Sequence, residues 1–596
     1  MLNLPVGILK KFSRWKTKHL SHQQFIMLLS GIIGFAAGLG AVVIKNLTHY
    51  IQDLLEGKLI ANYHHAFYFI FPVIGLALTL LIIKYGFKKK VGHGIPSTLY
   101  AISKRQGIMR SFQMYASILT APLTVGFGGS VGLEGPTVAT GASLGSNISR
   151  LFKMNQSSRT LLIGCAAAGA MSSIFKAPIA AIIFAIEVFS LDLTLVSMVP
   201  LLIASVSAVL TSYFFFGPDT LLPFKLTDQF NISEVPFYII LGILSAFCSI
   251  YFTSAYFRIH SFFGRFKSPV VRLLIGGIGL GILVYFIPPL YGEGYNVINN
   301  LLAENYLEAL GSNLFSEFMD NIWVVIALLA GLVIFKIIAT SLTFGAGGVG
   351  GIFAPVLFMG SALGHCFALV VNNFSLLRHP ISISSFTMVG MAGLMAGVLH
   401  APLTAIFLIA ELTGGYELFI PLMITAAISF MITNRFQPHS VYTMELAQRG
   451  ELLTHDKDKT VLTLLNIQRI IEKNFIPIQI DKNLGDVIHE GVIKSSRNIF
   501  PVVDENSNFM GIILLDDIRP VMFDQSMYDE VKVSDIMQSA PAIIDIRKDR
   551  TQEIMKKFQE SDAWNLPVVK DDKYIGFISK SKLLTAYRQK LIEVTV

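Results

Sequence analysis

The chain has 596 residues; 53% are hydrophobic and only 14% charged, and the mean hydropathy is +0.60. This balance excludes a soluble globular protein and places most of the chain in lipid. The net charge of +8 comes from basic residues that flank apolar runs, not from a surface of interleaved basic and aromatic residues, which argues against a nucleic-acid partner.

Residues 1–22 form a basic segment in which Lys10, Lys11, Arg14, Lys16 and Lys18 precede the first long apolar run. No small-residue cleavage site follows, so the run reads as a spanning helix rather than a signal peptide. The positive-inside rule then places the N-terminus in the cytoplasm. Full-length spans are expected near 24–45, 66–84, 192–216, 236–257, 268–288 and 320–340. The apolar segments between them are shorter and broken by Gly and Pro, the pattern of discontinuous or re-entrant helices. Cys165, Cys248 and Cys366 lie in apolar context without metal-ligand spacing and read as packing residues.

Three turns rich in Gly and Pro interrupt the membrane domain, 23–448: Gly92-His93-Gly94-Ile95-Pro96, Gly132-Leu133-Glu134-Gly135-Pro136 and Gly351-Ile352-Phe353-Ala354-Pro355. Glycine exposes backbone N–H groups, proline suits the first helical turn, and a helix N-terminus carries about half a positive charge. Such starts at membrane depth suit an anion, because irregular backbone survives there only in protein or along a cavity. The competing reading is close helix packing through small residues. Glu134 is a carboxylate at a helix start with no Lys or Arg near it in sequence, and an intramembrane acid is a functional candidate by default. It has the charge of a halide and can occupy an anion's seat, so it is a candidate gate, proton carrier or both. His93 is a candidate N–H ligand that also titrates near neutral pH.

The membrane domain repeats, with halves near 23–216 and 236–436. Gly92-His93-Gly94 matches Gly292-Glu293-Gly294, and Gly132 to Pro136 matches Gly351 to Pro355, with Gly141 and Gly360 following. Ala177-Pro178 and Glu187 match Ala401-Pro402 and Glu411. Duplication with broken helices at corresponding positions points to an inverted-repeat transporter whose site lies near the membrane midplane. A parallel repeat carries the same anchors, so inversion is left open. Glu187 and Glu411 read as structural acids that satisfy backbone where helices break.

Hydropathy collapses after residue 436, leaving a soluble cytoplasmic tail. Beyond a linker at 449–470, Phe500-Pro501-Val502-Val503 and Met510-Gly511-Ile512-Ile513 recur as Leu566-Pro567-Val568-Val569 and Ile575-Gly576-Phe577-Ile578. A strand, turn, strand, helix unit is written twice, at 471–525 and 533–594.

GHGIP, GLEGP, GIFAP and the late Tyr442, followed by a paired tail, resemble the CLC family of chloride channels and proton-coupled chloride exchangers over nearly the whole chain. The resemblance implies an all-α inverted repeat plus an α/β pair of CBS domains. It further implies a homodimer in a plasma or inner membrane with both termini cytoplasmic. Its substrate is chloride, and no enzymatic activity, cofactor or metal is required. It makes Glu134 the gating and proton-transferring glutamate, gives chloride the N–H groups of Ile352 and Phe353, and adds the Tyr442 hydroxyl. His93 stands where the family usually has serine, or proline in nitrate-preferring members, which leaves halide or nitrate preference open. Leu133 replaces the usual basic neighbour of the gate, so the vestibule attracts anions less strongly. Val188 occupies the position of the exchangers' internal proton glutamate, which favours a passive channel, with proton-coupled exchange as the alternative. The fluoride-selective branch is disfavoured by the GxGIP motif and Tyr442.

In the tail, Gly511 is followed by Leu514 and Asp517, and Gly576 by Ser579 and Lys582. Each half of the family's nucleotide pattern is therefore incomplete, and Asp517 and Ser579 are candidate contacts to an adenine nucleotide. The rival from another class is a CBS-regulated divalent cation transporter, which needs several convergent acids; the membrane domain offers few, with Glu134, Glu187 and Glu411 spread over three segments.

Overall fold

The computed structural model describes residues 19–58, 64–89, 91–92, 94–217, 222, 230–311, 318–375, 377, 379–413, 416–448, 462 and 465–595. His93, the basic residues between Lys10 and Lys18, and most of the expected linker lie outside the described residues. The chain divides into two compact units, Met1–Leu452 and Leu453–Val596.

In the first unit, sixteen of the described helices form two sets of eight in the same order, with the five-residue helix Tyr306–Leu310 as an extra turn in the second. The first set is α1 (His22–Lys58), α2 (His64–Leu81), α3 (Ile95–Lys104), α4 (Gln113–Gly126), α5 (Glu134–Leu151), α6 (Gln156–Phe175), α7 (Pro178–Phe189) and α8 (Leu195–Phe216). The second is α9 (Val235–Gly264), α10 (Pro269–Phe286), α11 (Tyr295–Leu302), α12 (Ile322–Gly345), α13 (Phe353–Asn373), α14 (Ile383–Leu399), α15 (Pro402–Leu412) and α16 (Phe419–Phe436). A short helix, α17 (Met444–Gln448), follows. Neighbour relations repeat between the sets: α5 lies on α6 as α13 lies on α14, and α1 on α8 as α9 on α16.

The local reasons repeat too. Asn155 caps α6 by accepting the Ser158 N–H, and Ser382 caps α14 by accepting the Ser385 N–H. Both helices end at a left-handed residue, Lys176 with φ 56° and His400 with φ 54°, and the next helix then opens on proline. Gly141 and Gly145 of α5 press on the α6 backbone, and Gly360 and Gly364 of α13 on α14, so spacing by four brings each helix pair to backbone contact.

Among the described residues, nine helices are long and apolar enough to cross a membrane. They include all six expected spans and add Gln156–Phe175, Phe353–Asn373 and Phe419–Phe436. The first of these is rich in Ala, Gly and Ser and mostly enclosed by other helices, so it never needed the hydropathy of a lipid-facing span.

Equivalent helices meet head to tail. Gly281 of α10 packs on Phe69 of α2, and Gly277 on Val73, so these two helices are antiparallel. At α7 and α15 the Glu near the end of each reaches the start of the other. An antiparallel pair of equivalent helices requires a twofold axis across their length, which for spanning helices lies in the membrane plane. The repeat is inverted.

The second unit holds two three-stranded sheets: β1 (Ile478–Gln479), β2 (Ile499–Val503) and β3 (Phe509–Leu514), then β4 (Ile544–Asp545), β5 (Asn565–Lys570) and β6 (Lys573–Ser579). β1 and β4 each add a short parallel strand to the expected hairpin, pairing Ile478 with Val502 and Ile544 with Val568. Both hairpins shift register at the same place, Val502/Val503 and Val568/Val569. α18 (Thr551–Ser561) and α19 (Lys580–Thr595) complete the second copy. Edge segments are exchanged between the copies: Glu472 bridges Phe577, and Gln538 bridges Ile512. Gly576 and Gly511 lie beneath the Glu472 and Gln538 carbonyls, where a Cβ has no room. Phe500, Val502 and Ile513 centre one core, and Leu566, Val568 and Ile578 the other.

Candidate anion site

The second and third glycine turns meet at the interface of the repeats. Gly132 and Gly351 exchange backbone hydrogen bonds, 2.9 Å from Gly132 N to Gly351 O and 2.7 Å in return. Two residues further on in each copy a helix begins, α5 at Glu134 and α13 at Phe353. The first turn joins them: Gly94, with φ 60°, lets α3 start against Gly135, whose carbonyl carbon lies 2.9 Å from where a Cβ on Gly94 would sit. Gly135 in turn abuts Gly351, 3.0 Å from its own Cβ position to the Gly351 Cα. Three helix N-termini from distant stretches of chain therefore point into one small region.

A cavity of about 30 Å³ lies there, lined by Ile95, Pro96, Gly135, Gly351 and Ile352 together with Tyr256, Phe344 and Tyr442. The Tyr442 ring packs on Phe353, with centroids 6.4 Å apart, and its buried hydroxyl has no hydrogen-bond partner. First-turn N–H groups of α13, such as that of Phe353, have no acceptor within their own helix. Donors and helix dipoles converge, and the volume suits one dehydrated ion.

Glu134 is 1% exposed. Its side chain folds back over Gly132 to the start of α13, and a Cβ on Gly132 would overlap its carboxylate. Oε1 accepts the Tyr295 hydroxyl at 2.7 Å; Oε2 has no full hydrogen bond, although the Ala354 N–H faces the carboxylate. The acid thus sits at a helix N-terminus beside the cavity, where it competes with an anion for the same amides.

Its surroundings differ from the sequence expectation of an isolated acid. Glu293 is close, and its Oε1 accepts the Leu133 N–H at 3.0 Å. Lys45 and Lys336 lie within electrostatic reach of Glu293. Lys336, fully buried on α12, donates to the Gly292 carbonyl at 3.1 Å and lies 4.5 Å from the centroid of the Phe358 ring. Tyr295, Glu293 and Lys336 were missed by motif reading. The signal was present: Glu293 is the repeat counterpart of His93, and a lysine inside an apolar span is a functional candidate.

The other candidates sit elsewhere. Glu187 accepts the Leu403 N–H at 3.1 Å and the Thr404 N–H at 2.8 Å, at the start of α15. Glu411 accepts those of Ile179 and Ala180 at 3.1 and 2.8 Å, at the start of α7. Val188, next to Glu187, is buried on α7. In the tail, the Ser579 hydroxyl donates to Glu472 at 2.7 Å, and exposed Asp517 accepts from Gln538.

The family described as voltage gated chloride channel matches residues 74–434, and the CBS domain matches 467–524 and 533–589. A ClcB-like protein of Ralstonia nicotianae is 28% identical over 437 residues, covering 72% of this chain and 97% of its own. The H(+)/Cl(−) exchange transporter ClcA of Salmonella paratyphi A is 27% identical, covering 71% of this chain and 88% of its own. Among solved structures, a slow cyanobacterial Cl−/H+ antiporter shares the fold, with a TM-score of 0.60 at 23% identity and coverage of 72% of this chain and 98% of that one. These matches leave the divalent cation rival without support. With the match extending over more than half its length, this chain belongs to the CLC family of chloride channels and transporters, and its C-terminal unit is a pair of CBS domains.

Proposed function

We propose that this protein carries chloride across the membrane through a pore of its own in each chain, with Glu134 as gate. The observation that carries this reading is the Glu134 carboxylate at the N-terminus of α13, beside a cavity lined by the unpartnered Tyr442 hydroxyl. Ile352 and Phe353 supply amides, Tyr442 a hydroxyl, and position 93 a fourth contact. Protonation removes the charge that holds the carboxylate at the dipole, and chloride takes its place. Purified protein in liposomes releases chloride down its gradient; efflux at the level of empty vesicles from pH 4 to 8 overturns the reading.

Val188 supports passive conduction, since the internal proton path then lacks its carboxylate. Proton-coupled exchange is the second reading, and the Salmonella relative, an exchange transporter by name, supports it equally. A reversal potential that shifts when only pH differs across the membrane selects exchange. His93→Ser tests whether that side chain sets preference among chloride, other halides and nitrate. We infer a homodimer with cytoplasmic termini, which cross-linking and protease protection in sealed vesicles test. An adenine nucleotide in the tail must draw Ser579 away from Glu472, so a structural tail is the favoured reading; calorimetric titration of the full chain with ATP tests it.

A further inference from the structure

The repeat counterpart of the first filter turn, Gly292-Glu293-Gly294, takes no part in the cavity, yet it touches the gate. Tyr295, the first residue of α11, donates to Oε1 of Glu134 at 2.7 Å. Two residues earlier, Glu293 holds the Leu133 N–H, the peptide directly before the gate. The turn is anchored from behind, because Lys336 donates to the Gly292 carbonyl and Gly292 N donates to Gly128 O at 3.3 Å. Glu134 is buried, whereas Glu293 and Tyr295 are half-buried, so the turn lies between the gate and accessible surface.

We propose that Tyr295 is a latch that holds the ionised Glu134 in its seat, and that Glu293 is the positioning residue that clamps the latch turn to the gate turn. The hydroxyl's bond to a charged carboxylate is stronger than its bond to a neutral acid. Protonation of Glu134 therefore releases the dipole attraction and the latch together, and the latch places the acid-activation midpoint at a lower pH than the dipole alone would. Other titratable groups facing Glu134 are Glu293 and Tyr442, with Tyr256 behind Tyr442, while Lys45 and Lys336 face Glu293. None of these donates a hydrogen bond to the Glu134 carboxylate. Tyr295 is thus the group whose removal isolates the latch.

This rests on Glu134 being the gate, and the test separates the two. Chloride efflux from liposomes is measured from pH 4 to 8 for wild type, Tyr295→Phe, Glu134→Gln and the double variant, each first shown to keep the wild-type unfolding temperature. Tyr295→Phe raises efflux at pH 7.5 about tenfold and moves the acid-activation midpoint upward by about one pH unit, as expected for loss of one hydrogen bond to a charged acceptor. In the Glu134→Gln background it changes neither. Glu293→Gln, which keeps an acceptor for Leu133, stays closer to wild type than Glu293→Ala, which behaves like Tyr295→Phe. A Tyr295→Phe profile superimposable on wild type, with Glu134→Gln altered, overturns the latch alone. An unaltered Glu134→Gln profile overturns the gate and the latch with it.

Discussion

Tyr442 lines the cavity and Glu134 lies beside it, and the two have opposite electrostatic roles. The first is an acceptor placed among donors, so it is the ion's rival. The second is a buried donor without a protein acceptor, an arrangement that costs about 1–3 kcal/mol unless a ligand satisfies it. Glu134→Gln removes the competing charge and leaves chloride efflux nearly independent of pH between 5 and 8, measured with a chloride electrode on liposomes. Tyr442→Phe weakens chloride binding about tenfold or less, since a neutral donor is lost, and calorimetric titration of chloride checks it. Glu134 was legible from the sequence because a carboxylate is anomalous in an apolar chain, whereas Tyr442 was reached only through the resemblance to the CLC family. Tyr295 was not legible, since a tyrosine at a helix start is ordinary until its partner, 161 positions away, is known.

At the scale of elements, the crossed acids of α7 and α15 bind the repeats to each other. Each carboxylate satisfies two first-turn N–H groups of the opposite helix, the orphan donors that a proline-opened helix leaves. Glu187→Ala or Glu411→Ala destabilises the protein by about 1–3 kcal/mol per orphaned donor, and the Gln variants by less, because one acceptor oxygen remains. Thermal unfolding in detergent reads the difference. In the tail, burial raises the Glu472 carboxyl, but the Ser579 hydroxyl, Arg497 and Lys582 outweigh it and hold it below the ordinary carboxylate value. A depressed folded value stabilises at pH above the unfolded value, and the contribution is lost as pH falls through the folded one. Hydrogen exchange at β6 therefore accelerates as pH drops below about 4 beyond its intrinsic trend, and Glu472→Gln flattens that acid limb. The β6 hairpin was readable from its alternation and turn. The exchange of edge segments that buries Gly511 and Gly576 was not, because it pairs stretches that no local pattern connects.

At the scale of the whole molecule, the inverted repeat places equivalent residues on opposite membrane faces. Ser21 precedes α1 and Ser233 precedes α9, and both are exposed. Single cysteines at these two positions, in a background lacking the native three, react with an impermeant maleimide from opposite sides of sealed vesicles. Labelling from the same side contradicts the inversion. Among the described residues, nine long apolar helices form the scaffold, and the short glycine turns at Gly94, Gly132 and Gly351 are held inside it, where irregular backbone is enclosed by protein.

Composition and motif spacing by themselves determined that the chain lives in lipid, that it is duplicated, that its broken helix starts suit an anion and that one acid belongs among them. Each of these follows from local chemistry: hydropathy, helix-start amides and the cost of charge in hydrocarbon. Only the tertiary structure decided the sense of the duplication, because a copied motif reads the same whether or not its copy is turned over. It also decided which groups flank the gate. Glu293 and Tyr295 bond to the turn of Glu134 and to Glu134 itself across 160 and 161 positions of chain, with Lys336 holding Gly292 behind them, and contacts at that separation exist only once the two halves have packed against each other.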